Sequence, residues 1–168
     1  MIHYLLNIFG IDNCNKIVEN IFIGDEKCSQ NLAFIKQENI NVVVNCSRDL
    51  DFFIENGHTY RIPVDDNFSH ASIRIMYNYI IKLVPIINNH LDKGDVLLIH
   101  CRAGIQRSAT FLTALLMYRN NLSKKEQWSL LNINAPSVFY QVLILVYLWI
   151  YTNNIYILIL ILHTKHLN

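Results

Sequence analysis

The run Asp95–Arg107, DVLLIHCRAGIQR, constrains the fold more than any other stretch of this chain. Four apolar residues, Val96 to Ile99, stand between Asp95 and His100, the pattern of a strand covered on both faces. A short loop with one glycine, Gly104, follows. From Arg107 to Asn120 the sequence is then apolar almost all round, which suits a helix buried at the centre of a domain. A strand covered on both faces needs a layer of helices on each side, so this unit points to an α/β fold.

The remaining segments agree with that demand. NIFIG (Asn20–Gly24) and NVVVN (Asn41–Asn45) read as short strands, and YRIPV (Tyr60–Val64) as a further one, with Pro63 putting it at an edge or standing at its end. EKCSQNLAFIKQEN reads as one helix. From Ser72 to Leu91 a helical period runs through Met76, Ile80, Leu83, Val84, Ile87 and Leu91, with Pro85 as the point of a kink. Ser123 and Glu126 have the spacing of a capping box and predict a helix to about Asn132. Strands and helices alternate, so the expected architecture is a central, mostly parallel sheet flanked by helices.

The chain has 168 residues, enough for one domain with a proper core. Lys plus Arg number 14 against 13 Asp plus Glu, which argues against a nucleic-acid binder that works through an overall positive field. The four cysteines, Cys14, Cys28, Cys46 and Cys101, form no CxxC pair and have no histidines at zinc-finger spacing. Neither a structural metal nor a disulfide scaffold is expected, and the compartment reads as reducing and cytoplasmic. The N-terminus MIHYLLNIFG lacks a positive leader and a small-residue cleavage site, so no signal peptide is expected. Val142–Leu162 is uncharged and long enough to span a bilayer, but Thr152, Asn153 and Asn154 stand at its middle. Two packed elements joined by a loop, as extra core or dimer contact, are preferred there to membrane contact or a poorly folded tail.

In open α/β sheets, ligands sit at the C-terminal ends of the strands. The loop Cys101–Ser108 lies at such an end and leads into a helix N-terminus. Its amides can form a nest for an anion, and the helix dipole adds partial positive charge. Gly104 permits a backbone angle denied to other residues. Arg107 can reach two phosphate oxygens with its planar fork. The same field should lower the pKa of Cys101 well below ~8.5 and make it a nucleophile aimed at phosphorus. His100 is expected to orient the loop and support the sulfur by hydrogen bonding, and the Ser108 hydroxyl to bond the sulfur as it leaves. The reading requires a sulfur that is not packed away from solvent. A lone cysteine after a strand is commonly a small buried apolar residue. His, Cys, Gly, Arg and Ser combined as H-C-x-x-G-x-x-R-S are rare by chance, and the strand–loop–helix setting favours the chemical reading.

His100-Cys101-Arg102-Ala103-Gly104-Ile105-Gln106-Arg107-Ser108 resembles the signature of cysteine-dependent protein tyrosine phosphatases, in particular the small dual-specificity branch. The likeness extends over roughly Ile17 to Pro136. It implies an α/β phosphatase fold, a catalytic domain at 17–151 between an extension at 1–16 and an apolar tail at 152–168, and no cofactor or metal. It implies hydrolysis of phosphotyrosine, with phosphoserine and phosphothreonine, through a phosphocysteine. Cys101, Arg107, Asp66, Ser108 and His100 would be catalytic, and Arg102, Ala103, Gly104, Ile105, Gln106 and Arg107 would bind the phosphate. Asp65 and Asp66 are both carboxylates after YRIPV; the family's general acid matches Asp66, with Asp65 as the alternate.

Phosphorylated proteins are the expected partners, with no nucleic acid, and the chain is expected to be a monomer or homodimer. Three other readings stay open: a phosphoinositide phosphatase, an RNA 5′-triphosphatase, and a module that binds phosphoproteins without turnover. The loop has one basic residue, Arg102, where the first usually has lysines. It has Ala103 and Ser108-Ala109 where the second usually has a further histidine and Thr-Gly. Ala135-Pro136 departs from the family's Arg-Pro, and the sequence beyond it departs from the family's usual ending. Cys46 reads first as a buried structural cysteine, and second as a thiol able to trap oxidised Cys101 as a disulfide.

Overall fold

The protein is described by a computed structural model over residues 13–67 and 69–120. Five strands form one sheet: β1 (Cys14–Val18), β2 (Ile21–Gly24), β3 (Val42–Asn45), β4 (His58–Arg61) and β5 (Leu97–His100). Their order is β1-β2-β5-β3-β4. Only β1 is antiparallel to its neighbour; the other pairs are parallel. The helices are α1 (Glu26–Gln30), α2 (Leu32–Gln37), α3 (His70–Asp92) and α4 (Arg107–Asn120). The mostly parallel α/β architecture expected from the sequence is therefore the one observed. The helix expected from Ser123 to about Asn132 and the apolar stretch Val142–Leu162 lie outside the described residues.

β5 is the middle strand of the sheet and is buried along its length. Leu97 lies beside Ile21 and Val42, Leu98 beside Phe22 and Val43, and Ile99 beside Ile23 and Val44. Side chains alternate along a strand, so these rows point to opposite faces in turn. Ile21, Ile23, Val42, Val44, Leu97 and Ile99 join the large core under α3 and α4; Phe22, Val43 and Leu98 join the smaller one with Cys28, Ile35 and Ile40. Phe111, Leu112 and Leu115 of α4 are fully buried. Each such side chain contributes about 1.5–3 kcal/mol by leaving water, so α4 is fixed rigidly behind the loop it follows.

Three local differences from the sequence reading have physical causes. The single helix expected over residues 26–39 is two, because Asn31 ends α1 by donating its N–H to the Cys28 carbonyl. It also starts α2 by accepting from the Phe34 amide. The strand expected at Tyr60–Val64 runs instead from His58 to Arg61, at the sheet edge, and leaves Pro63 beyond it, where no ladder donor is required. The helix expected from Ser72 to Leu91 is found as α3, which continues through Pro85; the missing N–H there removes one rung and not the element. β1 was not expected at all: it starts at Cys14, so the sheet takes in three residues ahead of the domain boundary drawn at 17.

The reading of the cysteines, with no disulfide scaffold and a reducing compartment, also changes. Cys14 and Cys28 form a disulfide with Cα atoms 5.2 Å apart. The antiparallel turn lays Cys14 beside Gly24, and α1 folds back over the same spot. Gly24 leaves the room: a Cβ there would stand 2.5 Å from Cys28 Sγ. With that bond in the fold, cysteine usage no longer argues for a reducing compartment. Among the described residues, no helix is long and apolar enough to cross a membrane.

Candidate active site

The parallel register aligns the C-terminal ends of three strands, with Gly24, His100 and Asn45 in one row. Arg61 pairs with Asn45 on the outer side. Cys101 follows His100 directly, and the Cys46 amide donates to the His100 carbonyl at 2.7 Å, extending the β3–β5 pairing past the strand ends. The chain then turns through Arg102–Gln106 and enters α4 at Arg107.

Two contacts fix the turn. The Glu26 amide, in the first turn of α1, donates to the Arg102 carbonyl at 3.2 Å. Gly104 has φ +69°, and a Cβ there would lie 2.9 Å from the Asp25 nitrogen and from the Gly24 carbonyl. Both the backbone angle and the close approach demand glycine. Cys101 Sγ lies 3.3 Å from Oγ of Ser108, the buried second residue of α4. The loop thus brings the sulfur, a hydroxyl and the helix N-terminus together, as the sequence leads one to expect. The sulfur's residue, however, is only 1 % exposed, less open than that reading requires.

Arg107 is largely buried and bridges to the segment after β4. Its Nη1 donates to the Val64 carbonyl and its Nη2 to Asp66 Oδ2, both at 3.2 Å. Its Nε is buried with no partner among the described residues. Asp65, the neighbouring carboxylate, instead pairs with Arg48 at 2.9 Å. The two adjacent acids therefore serve different cations, and Asp66 is the one joined to the arginine that ends the Cys101 loop.

Two side chains depart from the sequence reading. His100 is fully buried, and neither ring nitrogen has a hydrogen-bond partner among the described residues. Burial, with the nearby Arg61 charge adding to it, pushes its pKa down to about 4, so the ring is neutral. It gives the sulfur no hydrogen bond here. Arg102 carries its guanidinium to Glu26, at 3.1 Å, and to Asp49. That pairing holds the Asp49 carboxyl below the usual range. Arg102 thus engages two carboxylates with its side chain. Ala103, Ile105 and Gln106 lie partly exposed along the same loop.

Cys46 and Cys101 are both free and buried. Burial first, then the charge of Cys101, pushes the Cys46 thiol well up, with Arg107 opposing. Sequence reasoning missed Arg48, Asp49 and Glu26, the charged residues around the loop. Their partners lie on other elements, and no motif announces them. Among the described residues no cluster of three or more His, Cys, Asp or Glu side chains is placed to hold a metal.

The family model described as dual specificity phosphatase, catalytic domain, matches residues 21–151. The chain is 29% identical over 125 residues to human dual specificity protein phosphatase 16, covering 73% of this chain and 18% of that protein. It is 29% identical over 126 residues to human dual specificity protein phosphatase 9, covering 73% of this chain and 32% of that one. The matched region is less than a third of either relative's length. The crystal structure of human DUSP28 superposes with a TM-score of 0.64 at 18% identity, covering 80% of this chain and 93% of the other. That likeness is one of fold.

Proposed function

The chain belongs to the family of dual specificity phosphatase catalytic domains, and from that premise we propose that it is a protein phosphatase acting on phosphotyrosine and on phosphoserine or phosphothreonine. The observation that carries the reading is that one loop carries both Cys101 and Arg107, and a second segment brings Asp66 to that arginine. Cys101 Sγ lies between the end of β5 and the start of α4, and Arg107 of that helix reaches Asp66 at 3.2 Å.

In the proposed reaction, Arg107 leaves Asp66 and takes two phosphate oxygens in its fork, while the loop amides of Arg102–Gln106 surround the third. Cys101 Sγ attacks phosphorus as the ester P–O bond breaks. Asp66, protonated, gives its proton to the leaving oxygen. Asp66, now ionised, takes a proton from water as that water attacks the phosphocysteine. The P–S bond breaks, phosphate leaves, and the sulfur accepts a hydrogen bond from Ser108. Charge on the transferring group is met by Arg107 and the helix N-terminus throughout.

The test is a substrate panel run beside Cys101→Ser: phosphotyrosine, phosphoserine and phosphothreonine peptides, a phosphoinositide, and a triphosphate-ended RNA. The reading expects phosphate release from the peptides, lost in the variant. Release from only the lipid or only the RNA would transfer the chain to one of those rival activities.

A second reading is a module that captures phosphoproteins without turnover. The 1 % exposure of Cys101 favours it. Peptide binding by the unaltered chain with no phosphate release would select it.

A further inference from the structure

We infer that Arg48 is a positioning residue for general-acid catalysis: by engaging Asp65 it leaves Asp66 as the sole carboxylate on Arg107. The inference rests on the proposed reaction and deepens it. Asp65 and Asp66 are adjacent, half-exposed, and carried on the same segment after β4. Either carboxylate is chemically able to pair with Arg107. The structure separates them by partner, with Asp65 on Arg48 at 2.9 Å and Asp66 on Arg107 at 3.2 Å.

Arg48 is suited to that task because its own backbone is held. The Arg48 and Ser47 carbonyls both accept from Arg61 Nη1, at 3.1 and 3.0 Å. The Ser47 amide donates to Asn45 Oδ1 at 3.0 Å, and the Asn45 amide group donates to the Leu50 carbonyl at 2.8 Å. The next residue, Asp49, is paired with Arg102 of the phosphate loop. The Arg48-Asp49 dipeptide therefore ties the acid-bearing segment to one side and the phosphate loop to the other. Surface ion pairs contribute little to stability, about 0–1 kcal/mol. Arg48 is thus better placed to select a geometry than to hold the fold.

A misplaced acid has a signature that a weakened fold does not. Proton donation matters most when the leaving oxygen is a poor leaving group, and little when it departs unaided. The experiment compares phenyl phosphate with 4-nitrophenyl phosphate, using wild type, Arg48→Ala, Arg48→Lys, Asp66→Asn and the double variant Arg48→Ala/Asp65→Asn. The expected result for Arg48→Ala is about a fivefold lower kcat/KM on phenyl phosphate, a part of the roughly 10²–10⁴-fold that a positioned acid supplies, with less than about twofold change in kcat/KM on 4-nitrophenyl phosphate; kcat/KM ends at the phosphocysteine and so leaves out the water attack, in which Asp66 serves both substrates alike. Arg48→Lys should recover most of the loss. Removing the competing charge in Arg48→Ala/Asp65→Asn should recover it too.

Equal loss on both substrates, no loss, or no recovery in the double variant would overturn the inference. The underlying reaction fails separately: Asp66→Asn would then show no leaving-group dependence, or Cys101→Ser would still release phosphate.

Discussion

Asp66 Oδ2 lies 3.2 Å from Arg107 Nη2, so a carboxylate occupies the guanidinium that the proposed reaction gives to phosphate. A bound oxyanion must displace that pairing. Asp66→Asn removes the competing charge and should tighten inhibition by inorganic phosphate, about two- to tenfold at low salt. The same substitution removes the acid and should lower kcat on phenyl phosphate by roughly 10²–10⁴-fold. Inhibition constants and kcat measured on one preparation check both halves. Unchanged phosphate inhibition would mean that Arg107 and Asp66 do not compete in solution.

His100 gives the fold a pH dependence with a definite sign. Its folded pKa is pushed down to about 4, below the ordinary value of about 6.5 for a free histidine. Below pH 6.5 the unfolded chain takes up a proton that the folded chain refuses. The stabilisation is complete above pH 6.5 and disappears as pH falls toward 4, a loss on the order of 3 kcal/mol. His100→Leu lacks this slope. Because both ring nitrogens lack partners, the variant should unfold within about 1 kcal/mol of wild type at pH 7. At pH 4.5 it should be the more stable protein. Urea melts at pH 7, 5.5 and 4.5 compare the two; parallel profiles would show that His100 does not titrate as its burial dictates.

The parts of the fold visible in the sequence are those whose burial is written locally. Val96–Ile99 announces a central strand because both of its faces are covered, and Arg107–Asn120 announces a buried helix because no face is polar. β1 is hidden because CNKIV sits at the sheet edge, half-covered, with no clean alternation. The Cys14–Cys28 bond is hidden with it, since the two sulfurs meet only once β1 has paired with β2. The break at Asn31 did leave a signal, a capping residue three before Phe34, inside an otherwise continuous helical pattern. In the site, the cysteine, arginine and acid were legible through motif and resemblance. The Arg48–Asp65 and Asp49–Arg102 pairings were not, because each joins loops distant in sequence.

The two free cysteines should differ in reactivity. Cys46 is fully buried, and its thiol is pushed well up by burial and by the charge of Cys101. Cys101 borders the loop that leads to solvent at Ala103–Gln106. Brief iodoacetamide treatment of the native protein should label Cys101 at least about tenfold faster than Cys46, and inorganic phosphate should slow it. Peptide mass spectrometry reads both sites. Labelling of Cys101 only after denaturant is added would mean a sealed sulfur and favour capture without turnover.

Gly104→Ala tests the cradle without touching a reacting group. The residue sits at φ +69°, and the new methyl would lie 2.9 Å from main-chain atoms of Gly24 and Asp25. Neither neighbour is a side-chain end that can swing aside; Gly24 ends β2 and Asp25 joins it to α1. Strain of this kind costs roughly 1–3 kcal/mol where the backbone holds its path. Part of it should be relieved by the loop lifting off that turn, which would lengthen the contact between the Glu26 amide and the Arg102 carbonyl, now 3.2 Å. The expected outcome is a folded protein, lower in stability by that amount, whose kcat/KM on a phosphotyrosine peptide falls at least about 10²-fold because the loop amides no longer converge on one point. Circular dichroism melts and peptide kinetics on the same sample separate the two effects. Full activity in a folded Gly104→Ala protein would show that the tight turn is not needed to hold the phosphate.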